Sequence, residues 1–152
     1  MRIALFQPDI PQNTGNIFRL AACLGLEVDI IEPAGFLFDN KKLERSAMDY
    51  IKHVKYKRHV DWDSFLIWIN ENDYKLILLT TKSKKIYTKY KFTNKDVLLF
   101  GQESRGVPEN VHDIVEERLT IPMVKGLRSY NISNAVSIAA SEACRQLGLF
   151  NK

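Results

Sequence analysis

The stretch IPMVKGLRSYNISNAVS, residues 121–137, joins an apolar strand end to a polar loop and then to the start of a helix. Hydroxyl and amide side chains crowd this loop without a carboxylate among them, namely Ser129, Asn131, Ser133 and Asn134. Such side chains both donate and accept hydrogen bonds, and the first turn of a helix leaves backbone N–H groups free. The stretch therefore predicts either a site for a ligand rich in heteroatoms, such as a nucleoside, or an elaborate helix cap built on Ser133 and Asn134.

Strand-like runs alternate with helical patterns along the rest of the chain. The predicted strands cover residues 2–6, 27–31, 75–80, 96–100 and 118–121. The predicted helices begin near Thr14 or Gly15, at residue 41, after a cap at Asp61, at Pro108 in the first turn and near Ser133. Ends are predicted for four of them, near residues 25, 51, 115 and 147, and the third is marked only by its cap and by an apolar face over residues 65–69. This alternation predicts an α/β fold with a mostly parallel sheet and helices on both faces, in one domain covering residues 1–152.

Composition limits the classes of protein to which the chain can belong. With 152 residues and 45% hydrophobic content, it has the size and apolar mass of one globular domain. No apolar run approaches the ~20 residues that span a bilayer, and Pro8 and Pro11 interrupt the N-terminus too early for a signal peptide. We therefore expect a cytoplasmic protein with no membrane partner. Cys23 and Cys144 lie in apolar helical patterns, which predicts small core residues.

Positive charge is concentrated in two segments, although the net charge of the chain is only +4. These are HVKYKRH at residues 53–59 and KSKKIYTKYK at residues 82–91, the second of which interleaves Tyr87 and Tyr90 with lysines. Lysines neutralise phosphates, and tyrosines offer faces on which unpaired bases stack. The segments therefore indicate either an RNA surface or an ordinary solvated face.

A second polar loop, QPDIPQNTGNIFR at residues 7–19, follows the first predicted strand. Its single glycine excludes a dinucleotide fingerprint, and the chain has no GxxxxGK[ST] phosphate loop. Asn13 and Asn16 flank Gly15 at an expected helix start, with Arg19 one turn later. These side chains predict either base and phosphate contacts or a helix cap beside a surface charge.

The third polar loop, FGQESRGVP at residues 100–108, brackets Glu103 between Gly101 and Gly106. The glycines let the backbone approach a ligand closely, although the same sequence would also suit a plain turn. No paired carboxylates for acid–base catalysis are present, and His53, His59 and His112 lack the spacing of metal ligands. We therefore expect no metal.

Together, these three segments closely resemble the motifs of the SPOUT methyltransferases, specifically the small single-domain subfamily that methylates the ribose 2'-OH of the tRNA wobble nucleotide. IPQNTGNIFRLAA resembles the first motif, LLFGQESRGVPENV the second, and IPMVKGLRSYNISNAVSIAASEA the third. The resemblance extends to about residue 149, and the lack of an additional N-terminal RNA-binding domain matches the subfamily.

The resemblance implies a C-terminal deep trefoil knot, a homodimer and a bound S-adenosylmethionine without a metal. By carry-over, the cofactor pocket is lined by Leu79, Thr80, Gly101, Glu103, Gly106, Ile121, Met123, Leu127 and Ser129. The implied substrate is cytidine 34 or carboxymethylaminomethyluridine 34 in the tRNA anticodon region. Two alternatives are an rRNA 2'-O-methyltransferase of the same superfamily and a catalytically silent RNA-binding module.

The resemblance also assigns roles to individual side chains. Arg19 would orient the reacting ribose electrostatically, since a guanidinium does not deprotonate in proteins. Asn13 would hold Arg19 and the nucleotide, and Glu103 would pair with a basic group across the site. Ser129 and Asn131 would position the ribose or the cofactor. The expected RNA contacts are Arg19, Lys82, Lys84, Lys85 and Tyr87.

Overall fold

The computed structural model of the protein describes residues 1–38 and 41–150, so the predicted domain end at Lys152 lies outside the described residues. The strands within these ranges are β1 (Arg2–Phe6), β2 (Glu27–Ile31), β3 (Tyr56–His59), β4 (Lys75–Leu79), β5 (Asp96–Phe100) and β6 (Glu117–Leu119). The helices are α1 (Pro11–Leu24), α2 (Lys41–Ala47), α3 (Trp62–Glu71), α4 (Glu109–Ile114) and α5 (Ile132–Gln146). Two 3-10 turns cover Met48–Lys52 and Tyr87–Lys89.

The strands form one parallel sheet in the order β3-β2-β1-β5-β4-β6, which confirms the predicted α/β class. Strand β1 lies between β2 and β5, with β2 and β3 on one side of it and β5, β4 and β6 on the other, so the strand order reverses beside β1. In such sheets, ligand sites form where the strand order reverses, beyond the carboxyl ends of the strands. This topology places the loops after β1 and β5 side by side.

Side chains of β1 alternate between two apolar cores, one on each face of the sheet. Ile3 and Leu5 join the core that contains buried residues of α1 and α5. Ala4 and Phe6 face the opposite way, into the core that contains Phe65 of α3. Because successive residues of a strand point to opposite faces, a strand buried on both sides is apolar throughout. The predicted helices on both faces are confirmed.

Strand β3 was not predicted, because its sequence YKRH lacks an apolar pattern. It lies at the edge of the sheet, and its first three residues are exposed. Edge strands often carry charged side chains, which prevent pairing with other chains. The basic segment at residues 53–59 is therefore partly a sheet edge.

The start of α1 differs from the prediction, because the helix begins at Pro11 rather than near Thr14. Proline suits the first helical position, where its missing N–H would be unpaired in any case. Asn13 is consequently a buried residue inside the helix and not its cap. Arg19 lies two turns into the helix and is exposed.

Two other helix starts also require correction. Helix α5 begins at Ile132, and its cap is Asn131, whose side chain accepts a hydrogen bond from the backbone N–H of Ser133. Ser133 and Asn134 therefore lie inside the helix. Pro108 precedes α4 as its cap residue instead of occupying the first turn. The cap predicted at Asp61 is confirmed, since its carboxylate accepts from the N–H of Ser64 at 2.8 Å.

The predicted helix over residues 41–51 is interrupted after Ala47. Met48 has a φ of 52°, and the chain continues as the 3-10 turn Met48–Lys52. A left-handed residue cannot continue an α-helix, and it redirects the chain that follows.

The prediction that both cysteines are core residues is right for Cys144 and wrong for Cys23. Cys144 is fully buried in α5, whereas Cys23 is exposed. Ile17 and Ala21 define the buried side of α1, and Cys23 follows Ala21 by about 200° around the helix axis. It therefore points to the outer surface.

Among the described residues, no helix combines the length and the apolar content needed to cross a bilayer.

The trefoil knot stays a prediction from the family resemblance, and the observed sheet is consistent with it. After β6, the chain runs beside the loop that follows β4, because Thr120 N donates to Lys85 O and Tyr87 N donates to Thr120 O.

Candidate active site

A cavity of about 500 Å³ lies at the carboxyl edge of the sheet. Its walls come from the beginning of α1, from the loops after β4 and β5, and from the segment between β6 and α5. The three polar segments identified in the sequence therefore meet at one place, as expected for loops that follow neighbouring parallel strands.

A chain of hydrogen bonds joins the three segments at this cavity. Asn131 Nδ2 donates to Asn13 Oδ1 at 3.0 Å, and Asn13 Nδ2 donates to Glu103 Oε1 at 3.3 Å. Both ends of the Asn13 amide are thus engaged, and Asn13 is almost fully buried. These bonds fix the orientation of the amide, because reversing it would place like groups together.

Among the described residues of the chain, Glu103 pairs with no basic group, unlike the sequence-based expectation. Its second carboxylate oxygen accepts from the backbone N–H of Asp9 at 3.0 Å, and Ser104 Oγ donates to Asp9 Oδ2 at 2.5 Å. Burial and the neighbouring Asp9 carboxyl raise the pKa of Glu103. Hydrogen bonds with Glu103 and Ser104 lower the pKa of Asp9. A proton taken up by this pair therefore favours Glu103.

The loop after β5 closes into a tight hairpin. Gln102 and Gly106 exchange two backbone hydrogen bonds, of 2.9 and 2.7 Å, and Gly106 has a φ of 71°. A Cβ atom at Gly101 would lie 2.5 Å from the carbonyl carbon of Gly106. The two glycines are thus required for different reasons, one for close backbone approach and the other for a left-handed conformation.

Replacing Gly101 with alanine should disrupt this wall of the cavity. The new methyl group would meet backbone, which cannot rotate away, and such overpacking typically costs about 1–3 kcal/mol. We expect Gly101→Ala to weaken binding of S-adenosylhomocysteine by about 10- to 100-fold in calorimetry. Unchanged affinity would show that the hairpin opens without cost. The melting temperature, measured in parallel, separates a local effect from a loss of fold.

Eight of the nine residues predicted to bind the cofactor line the cavity. The exception is Leu127, which is 67% exposed on the loop after β6. Four of the five predicted catalytic residues also line it, namely Asn13, Glu103, Ser129 and Asn131.

Arg19, the fifth predicted catalytic residue, is outside the lining of the cavity in its own chain. Its Nη1 donates to Met48 Sδ at 3.6 Å, and its guanidinium carbon lies 5.2 Å from the centre of the Tyr50 ring. The structure therefore separates Arg19 from the other predicted catalytic side chains.

The predicted RNA-binding residues after β4 have different surroundings. Lys82 lines the cavity and pairs with Glu109 at 3.2 Å, whereas Lys84 is exposed. Lys85 pairs with Glu117 at 2.6 Å. Tyr87 is half-buried and packs against the core beneath α5. Lys82 therefore lies at the cavity, whereas Lys84 is exposed outside its lining.

Three residues near the cavity were not among the predicted site residues. Asp9 holds Glu103, Tyr130 lines the cavity and donates its hydroxyl to Pro122 O at 3.0 Å, and His112 of α4 contributes to the wall. Asp9 could have been predicted from the sequence, because it lies four residues before Asn13 in the same polar loop. His112 carried no local signal, because its approach to the cavity depends on the packing of α4.

His112 also belongs to a group that could hold a cation. Ligand atoms of Glu109, His112 and Asp113 lie within 4.8 Å of one another, but both acids are exposed. The guanidinium of Arg118 lies 3.3 Å from His112 Nδ1. A positive charge at that distance opposes a metal ion, and the expectation of no metal stays a prediction.

The chain is similar to known RNA methyltransferases. The SpoU rRNA Methylase family matches residues 1–141. The tRNA (cytidine(34)-2'-O)-methyltransferase of Beijerinckia indica subsp. indica is 45% identical, over 99% of this chain and 94% of its own length. The protein of the same name from Escherichia coli (strain K12) is 44% identical, over 97% of this chain and 94% of its own.

Solved structures agree in fold. One that is described as "Structural insights into the 2-OH methylation of C/U34 on tRNA" has a TM-score of 0.92 and 39% identity, covering 97% of this chain and 95% of its own. The SpoU methyltransferase AviRb from Streptomyces viridochromogenes, in complex with the cofactor AdoMet, has a TM-score of 0.89 at 23% identity, over 97% of this chain and 60% of its own. From its family match and the identity of its relatives, the chain belongs to the SpoU rRNA Methylase family.

Proposed function

We propose that the protein transfers a methyl group from S-adenosylmethionine to the ribose 2'-OH of the tRNA wobble nucleotide, cytidine 34 or carboxymethylaminomethyluridine 34. The observation that carries this proposal is the hydrogen-bonded chain Asn131–Asn13–Glu103, which joins all three polar segments at one cavity. The relatives that are 44–45% identical over nearly the whole chain bear the name of this activity.

The cavity suits S-adenosylmethionine in size and chemistry. Ligand sites typically enclose about 300–1,000 Å³, and they combine apolar walls with a few polar groups. Leu79 and Ile121 supply apolar wall, Thr80 and Ser129 supply hydroxyls, and the Gly101 hairpin brings backbone close. When bound there, S-adenosylmethionine supplies an electrophilic methyl group. We assign these residues to binding and orienting it.

The proposed reaction requires alignment of the ribose hydroxyl and removal of one proton. Asn13, held at both ends of its amide, and Asn131 are placed to fix the ribose. Glu103 holds Asn13, and its raised pKa lets it accept a proton more readily than an ordinary glutamate. Arg19 would orient the ribose and an adjacent phosphate through charge and bidentate hydrogen bonds.

We propose that a cytoplasmic homodimer brings Arg19 to the reaction. Arg19 is outside its own cavity, so a second copy would place it beside RNA held at the partner's cavity. Val124 and Leu127, close to the cavity in the chain, are 76% and 67% exposed, as expected of apolar side chains that a second subunit covers. Sedimentation equilibrium should give twice 17.6 kDa. A monomer that is fully active would contradict the proposal.

Lys84 should contribute to tRNA affinity through phosphate contact. Lys84 is exposed and makes no recorded ion pair within the described residues, unlike Lys85. We expect Lys84→Ala to weaken tRNA binding and to lower the slope of log affinity against log salt by about one unit. Lys95→Ala is the control, because Lys95 lies at the opposite end of the strands, where it donates to Asn72 O. This substitution should leave the slope unchanged. Equal slopes for Lys84→Ala and the unmodified protein would make this segment a solvated face.

The activity is tested by methyl transfer from labelled S-adenosylmethionine to individual tRNAs in which the wobble base is varied. We expect label on the 2'-oxygen of nucleotide 34 and none on a 2'-deoxy-34 control. Label on rRNA alone would favour the related rRNA methyltransferase. Absence of S-adenosylhomocysteine binding in calorimetry would favour a silent RNA-binding module.

A further inference from the structure

The Arg19 side chain is held at the protein surface by the 3-10 turn Met48–Lys52. Its two recorded contacts are the thioether sulfur of Met48 and the ring face of Tyr50. Among the described residues, no carboxylate pairs with it. The described contacts of this exposed arginine are thus with neutral groups.

Helix packing explains how this turn reaches Arg19. A Cβ atom at Gly15 would lie 1.9 Å from Ser46 Oγ and 2.8 Å from Ala47 N, so α1 and the end of α2 are in backbone contact there. Gly15 and Arg19 are four residues apart and therefore share one face of α1. The 3-10 turn that follows Ala47 consequently lies beside Arg19.

The backbone at Met48 is unusual for its residue type. Its φ of 52° lies in the left-handed region, which costs non-glycine residues of order 1–2 kcal/mol. The Met48 side chain is 55% exposed, so burial does not account for this conformation. The left-handed residue ends α2, and the carbonyl of Tyr50 closes the turn by accepting from the N–H groups of His53 and Val54. The strained conformation of Met48 thus accompanies the placement of its sulfur and of the Tyr50 ring against the Arg19 guanidinium.

We propose that Tyr50 and Met48 are positioning residues that hold the Arg19 guanidinium for the ribose and phosphate of the RNA substrate. This inference rests on the proposed function, in which Arg19 orients the reacting ribose. Stacking on a ring restricts a side chain that otherwise loses about 2 kcal/mol of rotamer entropy when ordered. Apart from the long Nη1 contact with Met48 Sδ, it leaves the N–H donors at the guanidinium edge available, and neither neutral neighbour cancels the charge. A carboxylate in the same place would occupy those donors and compete with phosphate.

The test compares Tyr50→Leu with Tyr50→Phe, because phenylalanine keeps the ring and removes only the hydroxyl. We expect Tyr50→Leu to lower kcat for methyl transfer by about five- to tenfold, with unchanged affinity for S-adenosylhomocysteine and an unchanged melting temperature. Tyr50→Phe should retain kcat within about twofold. Wild-type kcat in Tyr50→Leu would overturn the proposal.

A double-mutant cycle with Arg19→Gln separates positioning from other roles. If Tyr50 acts through Arg19, Tyr50→Leu should have little further effect on single-turnover transfer in the Arg19→Gln protein. Equal losses in both backgrounds would show that Tyr50 acts independently of Arg19, which overturns the inference.

A readout without turnover distinguishes failure of this inference from failure of the proposed function. Nitrogen-15 relaxation of the Arg19 Nε–H group in the free protein should show a restrained side chain that becomes mobile in Tyr50→Leu and stays restrained in Tyr50→Phe. Equal mobility in all three proteins would refute positioning even if the enzyme is active. If Arg19 is restrained by Tyr50 but the protein transfers no methyl group, the proposed function is refuted and the positioning of Arg19 is supported.

Discussion

Arg19→Ala should lower methyl transfer by about 10²–10³-fold or more, while the melting temperature and the affinity for S-adenosylhomocysteine stay as in the unmodified protein. The expected loss is large because the guanidinium would act on charge that develops at the ribose and at a neighbouring phosphate. Binding of the cofactor product should be unaffected, since Arg19 is outside the cavity that we assign to it. The measurement is single-turnover transfer of labelled methyl to tRNA, with calorimetry for the product.

Arg145→Ala is the control for this substitution. Arg145 is also an exposed helical arginine, but it pairs with Glu142 on α5 and lies outside the cavity wall. Its removal should change transfer by less than about twofold, as expected for an exposed ion pair. Turnover of Arg19→Ala near the unmodified rate would refute the proposed role of Arg19. A parallel loss of product affinity would instead mean that Arg19 shapes the cofactor cavity.

Asp29→Ala should destabilise the fold by roughly 3–5 kcal/mol, the typical cost of removing one partner from a buried charge network. Asp29 is fully buried in β2, where it accepts from Arg2 Nε at 2.6 Å and contacts His59 Nε2 at 2.8 Å. Burial alone would lower the pKa of Arg2, but the hydrogen bonds and charges of Asp29 and Glu27 raise it above its ordinary value. Without Asp29, the buried side chains of Arg2 and His59 would lose the carboxylate that lies between them, and Arg2 would keep only the partly exposed Glu27.

Glu27→Ala is the matched control, because Glu27 also pairs with Arg2 but its side chain is 44% exposed. Solvent screens that pair, so its loss should cost no more than about 1 kcal/mol. Urea unfolding, followed by circular dichroism, gives both free energies. Equal destabilisation by the two substitutions would show that burial does not distinguish the partners. Because Asp29 ties β1 to β3 across the sheet, we expect the loss to appear as global unfolding.

The parts of the fold that followed from the sequence are those whose local pattern matches their environment. Strands β1, β2 and β5 were predicted with their observed bounds, because each contains at least three apolar residues in five and lies within the sheet. Strand β3 was missed and β6 was displaced by one or two residues, since both are short edge strands. An edge strand derives its structure from one neighbour, which the sequence does not display.

The candidate site divides in the same way. Asn13, Glu103 and Asn131 were identified because they lie in the three polar segments that match the motifs of the family, and the structure brings them together. Glu103 was expected to pair with a basic group, whereas among the described residues it accepts from the backbone N–H of Asp9, which lies in a different loop.

The sequence by itself determined the class of fold, the three polar segments and the family, because apolar periodicity and the order of motifs are properties of the linear chain. Only the tertiary structure decided which side chains share a cavity and which do not. It separated Arg19 from the cavity of its own chain and set Met48 and Tyr50 against it. These relations depend on the close contact of α1 with α2 at Gly15 and on a left-handed turn at Met48. Contacts between residues distant in sequence arise from packing, which no local pattern encodes.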